Sequence, residues 1–162
     1  MTHPQRLFAR KFPHLGQVAP RINGTWIDER TRCRLDAAYG VRVFDGDFWY
    51  DPACGAWGIV GGPTAGFAPS GLPLGVPPAN RSGTELFVNG RELHALDVRA
   101  LSELIGLAPG RYRLDRFGTL AFERGHPFMN LATIAKKRGP QAGGAWNACG
   151  REPDKMSLIR RT

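Results

Sequence analysis

The stretch VRVFDGDFWYDPACGAWGIV, residues 41–60, decides the predicted fold. Two runs of high β propensity flank Asp45-Gly46, a dipeptide that favours a type I′ hairpin turn because both central residues need positive φ. The resulting register opposes Arg42 and Trp49. The other face of this hairpin is apolar and consists of Val41, Val43, Phe48 and Tyr50. A second turn at residues 51–55 completes a predicted three-stranded meander.

Two further hairpins follow the same logic. Asn89-Gly90 is the clearest turn signal in the chain, in a hairpin over residues 84–94 that pairs residues 85–88 with residues 91–94. One face of this second hairpin then carries Leu86, Val88, Arg91 and Leu93, and the other carries Glu85, Phe87, Glu92 and His94. Residues 111–123 form the third predicted hairpin.

The remaining elements are short. Asp97 is a predicted N-cap for a helix over residues 98–105, and Asn130 for a helix over residues 131–138 that ends at Gly139. Residues 21–28 and 32–35 are predicted strands, joined by a turn. The predicted fold class is therefore α+β and β-rich, with a meander of antiparallel β-hairpins and one or two short helices packed on one side.

Length and composition predict one domain, because 162 residues at 42% hydrophobic content support one ordinary core. We place this domain at residues 17–139, between a basic N-terminal segment (1–16) and a basic C-terminal tail (140–162). The Pro/Gly-rich residues 60–83 form a long loop. We expect its apolar side chains to tether it to the surface, with a binding loop as the alternative. These side chains are Phe67, Leu72, Leu74 and Val76.

The net charge of +8 is concentrated at the two ends of the chain. Residues 14–135 hold 12 basic and 12 acidic residues, so the body is neutral. The basic ends are predicted to bind phosphates or an acidic partner, or else to act as solvated tails. The basic residues of interest are Arg6, Arg10, Lys11, Lys136, Lys137, Arg138, Arg160 and Arg161.

The cysteines and the absence of apolar runs limit the class of protein. Cys33, Cys54 and Cys149 are odd in number and lack the Cys-x-x-Cys spacing, so the sequence predicts neither a zinc site nor a disulfide framework. There is no signal-peptide core and no run of about 18 apolar residues. We expect a soluble, cytoplasmic protein with no membrane association, no metal and no cofactor.

Catalytic candidates are few. The predicted register brings Glu85 and Glu92 onto the hairpin face of His94, and carboxylates beside an imidazole suit acid-base work or metal ligation. The alternative is an ordinary solvated hairpin face. Cys54, at the tip of a turn, is another catalytic candidate. As a nucleophile it would need a base brought close by folding.

Aromatic and guanidinium groups form a different kind of candidate. On a sheet face such groups stack on bases, sugars or the side chains of a partner. The alternative for the aromatic rings is core packing, and strand parity alone does not assign Trp49 and Trp57. The candidate binding residues are Arg42, Trp49, Trp57, Arg111, Tyr112 and Arg113.

Three glycine-led segments suggest a degenerate repeat. Each segment, starting at Gly24, Gly46 or Gly110, runs through an aromatic residue to an Asp that opens a turn. The last two continue to Gly55 and Gly118. Their spacing is irregular, which argues against a solenoid.

Three blocks resemble those of a bacterial family of unknown function. They are the Phe-Trp-Tyr-Asp-x-x-x-Gly-x-Trp-Gly block at residues 48–58, Phe-Val-Asn-Gly-Arg-Glu-Leu-His at 87–94 and Gly-Arg-Tyr-x-Leu-Asp-x-x-Gly at 110–118. The resemblance covers roughly residues 41–128 and implies no particular activity. Residues 110–118 also resemble the aromatic hairpin repeats of choline-binding cell-wall proteins, and that resemblance implies sugar or choline binding.

We therefore predict a non-catalytic binding or adaptor module that recognises a protein partner through an aromatic hairpin face. The alternative is a nucleic-acid-binding protein that uses the basic ends and an arginine-aromatic face. A second alternative is a small hydrolase-like or metal-dependent enzyme centred on His94. The sequence leaves the partner's identity and the oligomeric state open.

Overall fold

The computed structural model of the chain describes residues 20–151, which form two five-stranded sheets, three α-helices and one 3-10 helix. The first sheet contains β1 (Arg21–Ile22), β2 (Thr25–Trp26), β3 (Asp47–Tyr50), β4 (Ala56–Ile59) and β5 (Gly66–Phe67), with α1 (Glu29–Tyr39) between β2 and β3. The second contains β6 (Leu86–Val88), β7 (Arg91–Glu92), β8 (Gly110–Leu114), β9 (Thr119–Phe122) and β10 (Pro127–Asn130), with α2 (Ala95–Ser102) between β7 and β8. The helix α3 (Leu131–Arg138) and the 3-10 helix Gly144–Ala148 follow. The predicted α+β class is confirmed.

Both sheets are mixed, so the prediction of antiparallel hairpins alone was wrong in this detail. In each sheet a helix separates two strands that pair in parallel, β1 with β3 and β6 with β8. A helical crossover lets the chain return to the same end of the sheet and run in the same direction. Hairpin signals carry no information about such a crossover.

The first half of the central meander is not a hairpin. Residues 41–44 form no strand, and the partner of β3 is β1. The backbone of Arg21 donates to the carbonyl of Gly46 at 2.8 Å, so β1 occupies the position predicted for residues 41–44. The second turn is as predicted: the Asp51 carboxylate accepts the backbone N–H of Ala53, and β3 pairs with β4.

The helix α1 replaces the predicted turn and strand at residues 29–35. The Asp28 side chain caps its N-terminus by accepting from Thr31 N, and Gly40 ends it with φ +65°. Leu35 is its one buried residue. A helix with so narrow an apolar stripe gives little periodic signal in the sequence.

The other two helices differ in how well they were predicted. The helix α3 has the predicted bounds, with Asn130 as N-cap. The helix α2 begins one turn earlier than predicted, because His94 is its N-cap. Asp97 is therefore inside the first turn of α2 and is buried.

The two sheets have the same topology, which divides residues 20–151 into a first repeat (20–83) and a second repeat (84–151). The order β2-β1-β3-β4-β5 corresponds to β7-β6-β8-β9-β10. Asn23 and Asn89 both have φ +52°, and each side chain clamps the backbone of one residue across the sheet, Tyr50 or Leu114. The glycine-led segments at Gly46 and Gly110 are thus equivalent. The Gly24 segment instead matches the Asn89-Gly90 hairpin.

Each repeat has its own core on the inner face of its sheet. The first core cluster includes Ile22, Ile27, Leu35, Phe48, Tyr50 and Trp57. The second includes the six equivalent residues Val88, Leu93, Leu101, Tyr112, Leu114 and Leu120. Trp49, Cys54 and Ala56 of the first repeat also belong to the second cluster, so the first sheet is buried on both faces.

The predicted loop 60–83, which contains β5, and the segment after α3 complete the packing. Leu72 and Leu74 bury the long loop 60–83 against the first core, and Phe67 packs edge-on against Trp146, as the tethered-loop hypothesis requires. Val76 is 80% exposed and does not tether the loop. Trp146 and Cys149 are buried in the second core, so ordered packing continues beyond the predicted domain boundary at residue 139.

Candidate functional site

The structure does not bring the predicted arginine-aromatic binding residues onto one surface. Trp49 and Trp57 are 2% and 3% exposed and lie in different core clusters, on opposite faces of the first sheet. Tyr112 is buried in the second core. The predicted pairing of Arg42 with Trp49 is also absent, because Arg42 forms an ion pair with Asp36 at 3.5 Å.

Arg111 and Arg113 lie on the outer face of the second sheet and are exposed. The Arg111 guanidinium lies 4.5 Å from the centre of the Phe87 ring and forms an ion pair with Glu123 at 3.1 Å. Arg113 donates to the carbonyl of Gly125. This face is polar and belongs to the second repeat alone.

In the predicted cluster of Glu85, Glu92 and His94, the side chains of Glu92 and His94 accept hydrogen bonds from the backbone. The predicted register is confirmed, since Phe87 pairs with Glu92 and Val88 with Arg91. The Glu92 carboxylate accepts the backbone N–H groups of Glu85 and Ser82, and these bonds lower its pKa. Nδ1 of His94 accepts the N–H of Leu96 as a helix cap. Both side chains are therefore engaged in holding local structure.

Cys54 is a poor nucleophile in this fold. Its thiol is buried and donates to Oδ2 of Asp51 at 3.3 Å. Burial raises its pKa well above 9.0, and the neighbouring Asp51 carboxylate raises it further. Among residues 20–151, no group of three or more His, Cys, Asp or Glu side chains is arranged to hold a metal ion.

The most unusual polar group is Arg91, which sequence analysis placed on the core face without a role. Its guanidinium is 5% exposed and stacks 3.6 Å from the centre of the Trp49 ring. Nη2 lies 3.8 Å from Oδ2 of Asp97 and 3.4 Å from the Thr64 hydroxyl. An arginine on an otherwise apolar hairpin face was the signal for this contact.

Asp97 and Asp51 complete a polar cluster between the two repeats. The Asp97 carboxylate accepts the N–H of Thr64 and the indole N–H of Trp146, and Asp51 accepts from Nδ2 of Asn89 at 2.8 Å. Burial lowers the pKa of Arg91, and the two carboxylates oppose that change. Because two carboxylates surround one guanidinium, the cluster carries an excess of negative charge; it is a structural link between repeats and does not suit an added anion.

An exposed aromatic pair lies on the second sheet. Phe122 in β9 and Phe128 in β10 are 54% and 39% exposed, and their rings stack with centres 4.7 Å apart. The ring of the buried Tyr112 lies 5.5 Å from that of Phe122, so the pair continues the second core out to the surface. Since β10 is the last strand of the sheet, Phe128 lies on an edge strand and Phe122 on its neighbour.

A basic cleft lies beside α3. It has a volume of about 530 Å³ and is lined by Ala132, Thr133, Lys136 and Arg151. Lys137 and Arg138, also in α3, are exposed. Lys136, Lys137 and Arg138 are thus the described members of the predicted basic ends. Arg6, Arg10, Lys11, Arg160 and Arg161 lie outside the described residues.

Comparisons with protein-family models, with curated proteins and with solved structures found no match to this chain. The resemblances drawn from the sequence therefore remain hypotheses. Within residues 20–151, no helix is both long enough and apolar enough to cross a membrane.

Proposed function

We propose that this chain is a non-catalytic binding module that recognises a protein partner through the Phe122/Phe128 pair. The observation that carries the proposal is the stacking of two exposed phenylalanine rings on a sheet edge. An aromatic ring exposed to water leaves apolar area unburied, whereas at a protein interface it buries a large area with little loss of conformational freedom.

The first repeat supports this proposal, because the same backbone positions are filled differently there. Phe122 is opposite Tyr112 in the second sheet, as Ile59 is opposite Phe48 in the first. Ile59 is half-buried and lines a groove of about 680 Å³. The repeat therefore does not require a large exposed ring at this position.

The chemistry around the pair indicates the kind of partner. An edge strand offers unpaired backbone groups to an extended segment, which can add to the sheet as a further strand. Arg124 is exposed on the turn between β9 and β10, and Arg113, on the other face of β8, reaches the same turn and donates to the carbonyl of Gly125. The complementary partner is an extended segment with an apolar anchor residue flanked by acidic residues.

The placement of the catalytic candidates supports a non-catalytic role. Cys54 is protonated and buried, and the side chains of Glu92 and His94 are engaged by the backbone. Cys54 and Glu92 would each give up a local hydrogen bond to move a proton, and Nδ1 of His94 is occupied by the helix cap.

Selection from a displayed library of extended peptides tests this function. The full chain is expected to enrich peptides with an aromatic or leucine anchor flanked by acidic residues. A synthetic peptide of the enriched sequence should bind the Phe122→Ser/Phe128→Ser variant at least tenfold more weakly. Trp26→Ser, which removes an exposed aromatic from the first repeat, is the matched control and should bind as the unchanged chain does.

Two results would refute the proposal. One is an enriched peptide that binds the double variant and the unchanged chain equally well. The other is the absence of any enriched peptide while thermal unfolding shows that the chain is folded. Sedimentation of the unchanged chain completes the test, because self-association through the pair would make a second copy the occupant.

A further inference from the structure

The geometry points to a second binding site: the basic cleft beside α3, together with Phe117, binds single-stranded nucleic acid. This site is built from residues other than the Phe122/Phe128 pair. It therefore does not depend on the function proposed above.

The walls of the cleft come from two separate segments that the fold brings together. Thr133 and Lys136 lie on α3, and Arg151 follows the 3-10 helix. The guanidinium of Arg151 is fixed by a hydrogen bond to Oδ1 of Asn147 at 2.7 Å. The Thr133 hydroxyl donates to Oδ1 of Asn130. The phosphate-binding groups of the cleft are therefore the Lys136 ammonium and the oriented Arg151 guanidinium.

The charge of the surrounding chain favours a polyanion. Residues 111–151 carry eight basic residues and two acidic ones. Of the two carboxylates, Glu123 is paired with Arg111, and Asp115 accepts the backbone N–H groups of Phe117 and Thr119. Within residues 111–151 the basic residues therefore exceed the acidic ones by six, and this excess favours a polyanionic ligand.

Phe117 supplies a surface for a base. Its ring is 55% exposed at the tip of the β8–β9 turn, with the Arg116 guanidinium 4.6 Å from the ring centre. The turn is held in place next to the cleft, because Nδ2 of Asn130 donates to the carbonyl of Phe117. An exposed ring with a stacked guanidinium is a platform for an unpaired base.

The combination of the Phe117 platform and the basic cleft favours a single strand over a duplex or an acidic protein segment. Bases in a duplex are paired and stacked on one another, so they do not reach an aromatic ring on a protein surface. A single strand can place phosphates in the cleft and turn a base onto Phe117. An acidic protein segment would use the cleft but not the platform.

Fluorescence anisotropy with a labelled 15-nucleotide oligo-dT tests the site, using the full chain. At low salt we expect binding that weakens as salt rises. Lys136→Glu/Arg151→Glu should weaken it at least tenfold and should make its salt dependence shallower by about 1.4 in the log–log slope. The control Arg30→Glu/Arg34→Glu, on the exposed side of α1, changes net charge equally and should weaken binding less than threefold.

Phe117→Ala tests the platform independently of charge. It is expected to weaken binding by about tenfold, the usual size of one stacked base, without changing the salt slope. The site is overturned if both charge-reversal variants weaken binding equally, or if a duplex of the same length binds as tightly as the single strand. It is also overturned if Phe117→Ala has no effect, if polyglutamate competes as well as unlabelled oligo-dT, or if the folded chain fails to bind at low salt.

Discussion

Trp49 in the first repeat and Arg113 in the second occupy equivalent positions on the outer faces of their sheets, next to Tyr50 and Leu114. Trp49 is buried, because the second repeat packs against that face, whereas Arg113 is exposed. The same backbone position therefore carries an indole where another layer covers it and a guanidinium where solvent does. A polar outer face of this kind ends a stack of repeats.

The two repeats also differ in charge. The first repeat holds six basic and six acidic residues, and the second holds ten basic and six acidic residues. The Phe122/Phe128 pair and the basic cleft both belong to the second repeat. The first repeat supplies a sheet that is buried on both faces, and the second presents the surfaces on which binding is proposed.

The largest expected difference between the repeats is at these outer-face positions. Trp49→Ala should destabilise the protein by about 4 kcal/mol, because it leaves a cavity and removes the ring beneath Arg91. Arg113→Ala should change stability by less than about 0.5 kcal/mol. Urea unfolding measures both. Similar losses for the two variants would contradict the view that one outer face is buried and the other is not.

A second comparison uses Arg91 and its equivalent in the first repeat, the exposed Thr25. Arg91→Ala should cost about 3 kcal/mol, since it leaves the buried carboxylate of Asp97 without its partner. Thr25→Ala should cost less than about 0.5 kcal/mol. In the Arg91→Ala background, Asp97→Asn should recover part of the loss. If instead the two losses simply add, the ion pair between Arg91 and Asp97 does not stabilise the cluster.

At alkaline pH the two cores should begin to lose stability at different pH values. Up to about pH 10 the loss from each buried group is smaller than the losses expected for Trp49→Ala and Arg91→Ala. Burial, followed by the Asp115 charge, raises the pKa of Cys149 from 9.0 to about 12, and burial raises that of Tyr50 from 10.0 to about 12. As pH rises, the unfolded chain releases these protons before the folded chain does. Each group's contribution to the free energy of unfolding is therefore complete below its unfolded pKa and is lost as pH rises toward 12. The loss should begin near pH 9 in the second core and near pH 10 in the first.

Variants assign this loss to the thiols. Between pH 8 and about pH 10 the free energy of unfolding should fall by about 3 kcal/mol, roughly half from each buried thiol. Cys54→Ala/Cys149→Ala should remove most of that fall, and Tyr50→Phe should leave it unchanged. Urea unfolding midpoints at the two pH values measure it. An equal fall in the cysteine variant would show that other groups titrate.

Local signals predicted the elements whose stability is local. The Asn89-Gly90 turn and the Asn130 cap of α3 depend on backbone groups within a few residues, so the sequence predicted their register and bounds correctly. Asp45-Gly46 gave the same kind of signal and was wrong. A hairpin at Asp45-Gly46 would require residues 41–44 to pair with β3, but β1 occupies that side of β3. Arg21 of β1, more than 20 residues earlier in the chain, donates to the carbonyl of Gly46.

The candidate site was predicted less well, for a related reason. The sequence identified Lys136 as a basic residue of interest but not the cleft, which needs Arg151 brought beside α3. It also proposed Trp49 and Trp57 for binding, although both are buried. Whether an aromatic ring on a strand is covered depends on the layer that packs over it, and strand parity does not specify that layer.

The sequence alone thus determined the α+β class, the Asn-Gly hairpin of the second repeat, the third helix and the excess of positive charge. Each follows from neighbouring residues or from composition. Tertiary structure decided the parallel strand pairs, the burial of Trp49 beneath Arg91 and the exposure of Phe122 and Phe128. These features depend on contacts between segments distant in sequence, and the free energy of such contacts is set by how those segments pack in the fold.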